Sequence, residues 1–268
     1  MLVGVAGEET GIEPLLRKVL ADRPDHALAG TLLGAHLIRA GWRIRSAARA
    51  QHVSREQFAQ FHDHLRRAEQ VLIDVTARHP DDVAAWTQRI TNARGLELGQ
   101  AEARRRYDRV ARLTPHHVAA QAALLQQFCP KWSGTWEKAF AFARECAQAA
   151  PEGGLSPVVI AEAHLERWLD FDSGGQRAAY LRDPQVVGEI WQAGQRSVLH
   201  PAFTNRAGWV WVRSVFALMF SMTGQWAAAA SQFTALGPLG SDYPWDYVGG
   251  ASGFEKFRAE AYEKGFRR

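Results

Sequence analysis

Apolar residues recur three and four positions apart along most of this chain, the spacing that lines one face of an α-helix. The clearest case is Phe58, Phe61, Leu65, Ala68, Leu72 and Val75. Ser54 and Gln57 stand just ahead of it in a Ser-x-x-Gln pattern, the signature of a capping box at a helix start. Pro14 predicts a short helix running through Leu20, and a longer periodic segment follows from about Ala27 to Ala50. Further helices are predicted around Trp86–Ala93, Ala103–Val110 and Val118–Phe128, and over segments ending near Ala149, Leu169 and Leu199. Thr135 caps the first of these last three, and Ser156-Pro157 and Asp183-Pro184 open the other two. Phe203–Thr223, Trp226–Leu236 and Gly253–Phe266 complete the series. No run of β-branched residues alternates over strand length, so the expected class is all-α.

The helical segments are punctuated at a nearly constant interval. Pro80, Pro115 and Pro151 lie 35 and 36 residues apart, and an alanine precedes each by twelve positions: Ala68, Ala103 and Ala139. A small residue at a fixed distance before a helix-stopping proline predicts a seam where two helix backbones approach closely. Two segments share a further pattern, G-x-W-x-x-A: Gly134-Thr135-Trp136-Glu137-Lys138-Ala139 and Gly224-Gln225-Trp226-Ala227-Ala228-Ala229. Because Trp136 and Trp226 occupy equivalent places, both are expected to be largely core.

These features resemble the tetratricopeptide repeat (TPR), a helix–turn–helix unit with a period of about 34 residues. In that family the glycine forms the turn, the aromatic packs on the first helix, and the alanine is the point of closest contact. The units depart from the pattern in places. Leu98 stands at the turn-glycine position of one unit with Gly99 a residue late, and Asp63 stands there in another. A second set of features spans more of the chain: Gly41-Trp42-Arg43-Ile44-Arg45, the segment Val53 to Leu72, Pro130-Lys131-Trp132-Ser133-Gly134, Ala163-His164-Leu165-Glu166 and Tyr243-Pro244-Trp245-Asp246-Tyr247. It resembles a bacterial family of unknown function with a degenerate TPR-like core. The resemblance implies a TPR-like α-solenoid of antiparallel helix pairs, roughly 11–13 helices in all. It implies architecture only. The expected organisation is one helical-repeat domain over residues 1–268, with a weak boundary near 170–184.

Composition narrows the function classes. With 47% hydrophobic and 22% charged residues, the chain has ordinary globular usage. No apolar run reaches membrane-spanning length, because Trp209–Met222 is short and carries Arg213 and Ser214. The N-terminus lacks a basic region followed by an apolar one, and the two cysteines form no disulfide framework, so a cytoplasmic setting is expected. A net charge of +4 is too mild to point to nucleic acid.

Few residue patterns carry chemistry. His62-Asp63-His64 sits on a helix, where i and i+2 diverge and cannot share a metal. No phosphate-cradling glycine loop is present, and no cofactor is expected. Glu162 and Glu166 lie one turn apart, with His164 between them on another face. Together with Lys131 they are the candidate groups for an alternative reading, an enzyme or small-molecule binder with a closed pocket. Catalysis is otherwise unsupported.

The stronger lead is an acid-free run from His26 to Ser54. Trp42, Arg45 and Arg49 fall on one helical stripe at i, i+3 and i+7, with Arg39 and Arg43 beside it. Guanidinium groups recognise carboxylates through a planar fork of donors, unless acids such as Glu69, Asp74 or Asp81 on adjacent helices already engage them. The Lys131–Trp132 corner offers a cation and a ring in the same way. The leading expectation is therefore an adaptor that binds a peptide or protein partner in a concave groove, favouring acidic groups. Its contact residues would be Trp42, Arg43, Arg45, Arg49, Lys131 and Trp132. Neither nucleic acid nor a membrane is expected as a partner. Self-association through the apolar C-terminal end is a third reading.

Overall fold

The helix boundaries follow from local chemistry written at their ends. Ser54 Oγ accepts from the Gln57 N–H at 3.1 Å while Gln57 Oε1 accepts from the Ser54 N–H at 3.0 Å, which closes the predicted capping box. Asp82, Thr135, Ser173 and Asp183 cap other helices through their side-chain oxygens. In the computed structural model, which describes residues 11–46 and 52–266, thirteen α-helices form and no strand appears among the described residues. The protein is all-α.

Contacts divide the chain between Gln127 and Phe128 into two units. The first contains α1 (Ile12–Asp22), α2 (Ala27–Arg45), α3 (Arg55–Arg78), α4 (Val83–Gly95), α5 (Gln100–Leu113) and most of α6 (Val118–Phe128). The second contains α7 (Trp136–Ala149), α8 (Val158–Asp170), α9 (Gly174–Arg182), α10 (Pro184–Arg196), α11 (Trp209–Met222), α12 (Trp226–Leu236) and α13 (Gly250–Gly265). Short 3₁₀ turns cover Pro130–Trp132 and Trp245–Val248. The 170–184 stretch, expected to be a break, holds α9 and lies inside the second unit. The helix expected from Phe203 begins only at Trp209.

In the first unit the tightest seam joins α2 to α3. A methyl group at Gly30 would overlap Val75, one at Gly34 would lie 2.5 Å from Leu72, and one at Gly41 would press on His64 and Phe61. Partners that descend in number as the glycines ascend make the pair antiparallel. Leu33, Leu37, Leu65 and Leu72 are fully buried beside this seam. Ala68, Ala103, Ala139 and Ala229 are all completely buried, as the repeat pattern predicts for close contacts.

A buried ion network ties α3, α4 and α5 together. Glu69 accepts from Arg89 at 2.9 Å, from Arg106 at 2.8 Å and from Asn92 at 2.8 Å. Arg106 also donates to Glu102 at 2.7 Å and to the Arg89 carbonyl at 2.7 Å. Burial by itself would raise the Glu69 carboxyl, but Arg106, Asn92 and Arg89 outweigh it and hold it below the ordinary value. Glu69, a sequence candidate for pairing with the α2 arginines, is thus occupied by arginines of α4 and α5.

At the C-terminal end Trp245 is buried against Phe233, Phe254 and Phe257, with ring centroids 5.0–6.2 Å apart. Of the two tyrosines beside it, Tyr247 is exposed and Tyr243 turns toward α8.

The glycine geometry sets two opposite expectations. Gly34→Leu overpacks the α2–α3 seam and should destabilise the first unit by about 1–3 kcal/mol in urea unfolding. Gly188→Ala, in α10, places its methyl in open space. It should raise stability by about 0.5–1 kcal/mol, the helix-interior difference between the two residues.

Candidate functional site

The arginine stripe is partly folded onto its own tryptophan. Trp42 packs edge-on against Phe61 at 4.8 Å, and the guanidinium groups of Arg45 and Arg94 lie 5.8 and 5.3 Å from its ring. Arg45 donates to the Ser46 carbonyl at 3.0 Å, and burial lowers its pKa. Arg43 is exposed. Arg49 lies outside the described residues. At the other predicted corner Trp132 is half-buried, and Lys131 reaches back to Glu166 at 2.5 Å.

That lysine leads to α8, whose residues Val158 to Glu166 are buried without interruption. Its neighbours are α7, α9, α10 and α11. A helix surrounded on all sides would ordinarily be apolar throughout. The buried stretch of this one carries three titratable groups, and each has its own partner set. Glu166 binds the half-exposed Lys131. Glu162 is hydrogen-bonded to Tyr243 and Trp211. Desolvation pushes the Glu162 carboxyl up to about 8, opposed by those two hydrogen bonds and reinforced by the Glu166 charge one turn away. At neutral pH it is a protonated acid.

His164 faces the other way. Its Nδ1 lies 2.7 Å from the Tyr180 hydroxyl and its Nε2 lies 3.2 Å from Glu189. A carboxylate only accepts, so Nε2 carries the hydrogen that it donates to Glu189. Arg144 closes the set with two bonds to Glu189, at 2.7 and 3.2 Å. The hydrogen bond from His164 leads the causes that hold the Glu189 carboxyl down to about 2. Tyr180 is raised by burial. Lys131, Glu162 and Glu166 therefore share one side of α8, while His164 works on the opposite side in a closed set. The four do not converge on one reacting atom, which general acid–base chemistry requires.

An open feature of the second unit lies between α10 and α12. A groove of about 520 Å³ is lined by Pro184, Val187, Trp191, Gln225, Trp226 and Ala227, with Gly188 and Ala228 completing it. Trp191 stays 39% exposed there. Trp226, expected in the core, is half-buried, with Lys264 4.2 Å from its ring. Trp136 is likewise half-buried, beneath Arg167 at 5.1 Å. Both repeat-marking tryptophans are thus capped by a cation rather than enclosed. A smaller cleft of about 190 Å³ lies in the first unit between α1, α2 and α3. There Arg78 and His79 are engaged by the carbonyls of Pro24 and Asp25.

No protein-family model, curated protein or solved structure matches the chain.

Sequence reasoning singled out Glu162, His164 and Glu166 but missed their partners Tyr243, Trp211, Tyr180, Glu189 and Arg144. It also missed the groove. The one local signal for it is Gly188 in mid-helix, three residues before a tryptophan.

The protonated Glu162 sets a pH dependence of definite sign. Its folded pKa of about 8 exceeds its unfolded value, which is the ordinary one. The folded state therefore binds the extra proton, and the stabilisation is fully present below about pH 4.3. It falls as pH rises and is lost once pH passes the folded pKa. Thermal melts should show the second unit weakening from about pH 4.5 to about pH 8, and no further above that. Glu162→Gln, which keeps a neutral polar group there, should flatten that slope. An unchanged slope in the variant would place the titrating group elsewhere.

Proposed function

We propose that this chain is a TPR-like helical-repeat protein that binds a protein partner, taking an apolar segment of it in the α10–α12 groove. The observation that carries the reading is the groove itself. It has the size of a ligand site, its lining is almost wholly apolar, and it keeps a large aromatic ring in contact with water. Exposed aromatic surface of this kind is where binding energy concentrates when a partner covers it. The fully buried alanines and the helix-capping pattern support the repeat reading. The closed polar sets on α8 favour binding over catalysis, because each candidate acid or base is already engaged within the fold.

Attraction for acidic groups rests on a narrower base. Among the predicted contact residues that the structure describes, Arg43 stands exposed, while Arg45 lies beside Trp42 and Lys131 is bonded to Glu166. A positive contribution at the end of α2 would be local and screened by salt.

Gly188→Leu tests the reading cleanly, because the space beyond that α-carbon is empty. The variant should melt no lower than the parent while its side chain fills the groove. Against a panel of fluorescent amphipathic helical peptides with aromatic or leucine anchors, the parent should bind a subset. The variant should bind them about tenfold more weakly or worse, the loss typical of an obstructed anchor. Equal binding by both proteins would move the partner surface away from this groove.

A further inference from the structure

We infer that Arg213, in the second turn of α11, binds a carboxylate on an acidic segment of the partner through the outward hydrogens of its guanidinium group. The inference rests on the functional reading only in that the partner is a protein; the groove plays no part in it.

Arginines withdrawn from water in the first unit meet carboxylates. Arg89 and Arg106 bond Glu69 at 2.9 and 2.8 Å. Arg213 is half-buried as well, yet it forms no ion pair among the described residues. Burial lowers its pKa with no neighbouring carboxylate to oppose the effect, whereas Glu69 opposes the same effect at Arg89. The cost of sheltering this charge is left uncompensated within the fold.

The sequence explains the missing acid. From Ile190 to Ser241 it contains no aspartate or glutamate. The run covers α11, α12 and the loop before them, and its arginines are Arg196, Arg206 and Arg213. Arg196 reaches back to Glu152 at 3.2 Å. Arg206 stands exposed and donates to the Thr204 hydroxyl at 3.0 Å. Arg213 is left among neutral groups.

Those groups hold it in place. Its Nη1 donates to Gln232 Oε1 at 2.6 Å. Gln232 Nε2 donates to the Ser231 hydroxyl at 2.9 Å and to the Ala228 carbonyl at 3.5 Å, which leaves its oxygen to face Arg213. The Phe203 ring centre lies 4.5 Å from the guanidinium carbon. Nε is withdrawn from solvent and closed to a ligand. Nη2 is different: it has no bond among the described residues and keeps accessible surface. Its hydrogens are the donors that a ligand meets.

A guanidinium group fixed on one side and open on another is pre-ordered for an oxyanion. Charge selects which one. A single cation balances a single carboxylate. A phosphate dianion brings a second charge, and the other arginines of the run are exposed or already paired. A nucleic acid requires a track of cations, which three arginines over so long a run do not make.

The test uses the full chain and two fluorescein-labelled peptides, hexaglutamate and hexaglutamine, with binding read by anisotropy at low salt. Hexaglutamate should bind at least about tenfold more tightly than hexaglutamine. Arg213→Gln should weaken hexaglutamate about tenfold, the low end for a hydrogen bond to a charged group. Arg213→Lys, which keeps the charge and a donor for Gln232 but loses the planar fork, should weaken it by a smaller factor. Arg43→Gln and Gly188→Leu should leave hexaglutamate binding unchanged, so a failure of the groove reading and a failure of this one are told apart. Undiminished binding by folded Arg213→Gln would overturn the assignment. If that variant does not fold, undiminished binding by Arg213→Lys would overturn it instead. Loss of binding in Arg43→Gln would move the acidic contact to the end of α2. A ten-residue oligothymidylate that binds more tightly than hexaglutamate, and loses affinity in Arg213→Gln, would give the site to phosphate. If the unaltered protein does not distinguish the two peptides, the inference falls.

Discussion

The second unit is organised around one constraint: α8 is buried on every side and yet is not apolar. Placing Glu162, His164 and Glu166 in such a helix would be ruinous if their polar atoms were left unmatched. Each must meet a partner supplied from a different part of the chain. Lys131 comes from the turn before α7, Trp211 from α11, Tyr243 from the loop before α13, Tyr180 from α9, and Glu189 from α10. Buried polar sets of this kind favour one arrangement of neighbours over others, because a shifted helix would strand a carboxyl group or an imidazole. Glu162 meets the constraint in another way as well, by staying protonated.

The first unit meets a similar demand with charge kept intact. Glu69 stays ionised because two guanidinium groups and an amide converge on it from α4 and α5. Beside it, the α2–α3 seam needs no polar device. Gly30 and Gly34 let the helices close to a distance that a side chain there would prevent, and Gly41 is a third tight point. Against these closed arrangements the α10–α12 groove stands out as unfinished packing, with a glycine where a side chain would fit and a tryptophan left in water. The functional proposal grows from that contrast. Groups that look reactive in the sequence are consumed in holding helices together, while the binding surface is built from residues with little chemistry of their own.

Local signals carried far in the sequence. Ser54 with Gln57, Thr135, and Asp183 with Pro184 marked helix starts that the structure keeps, because a cap is decided within four residues. The spacing of Ala68, Ala103 and Ala139, and the motif that ends at Ala229, found buried positions. Signals that depend on what lies across a seam were harder to read. Residues 170–184 suggested a weak boundary, yet α9 forms there, secured by its Ser173 cap and by the packing of Tyr180 on His164 and Phe171. Glu69 was legible as an acid near arginines, but which arginines it meets is set by the arrangement of three helices. Of the α8 cluster the sequence showed the three residues on one helix and none of the partners brought in from elsewhere. The groove was least legible of all, because it is defined by what α10 and α12 fail to cover.

If α8 is the element on which the second unit depends, it should be the last to open. Native-state hydrogen exchange measures this directly, because amides in the most secure element exchange only when the whole unit unfolds. The amides from Ile160 to Leu165 should exchange more slowly than those of α9, α10 and α13, with opening free energies equal to that of global unfolding. Exchange from α8 that is faster than from α10 or α11, at an opening free energy well below the global value, would contradict the account.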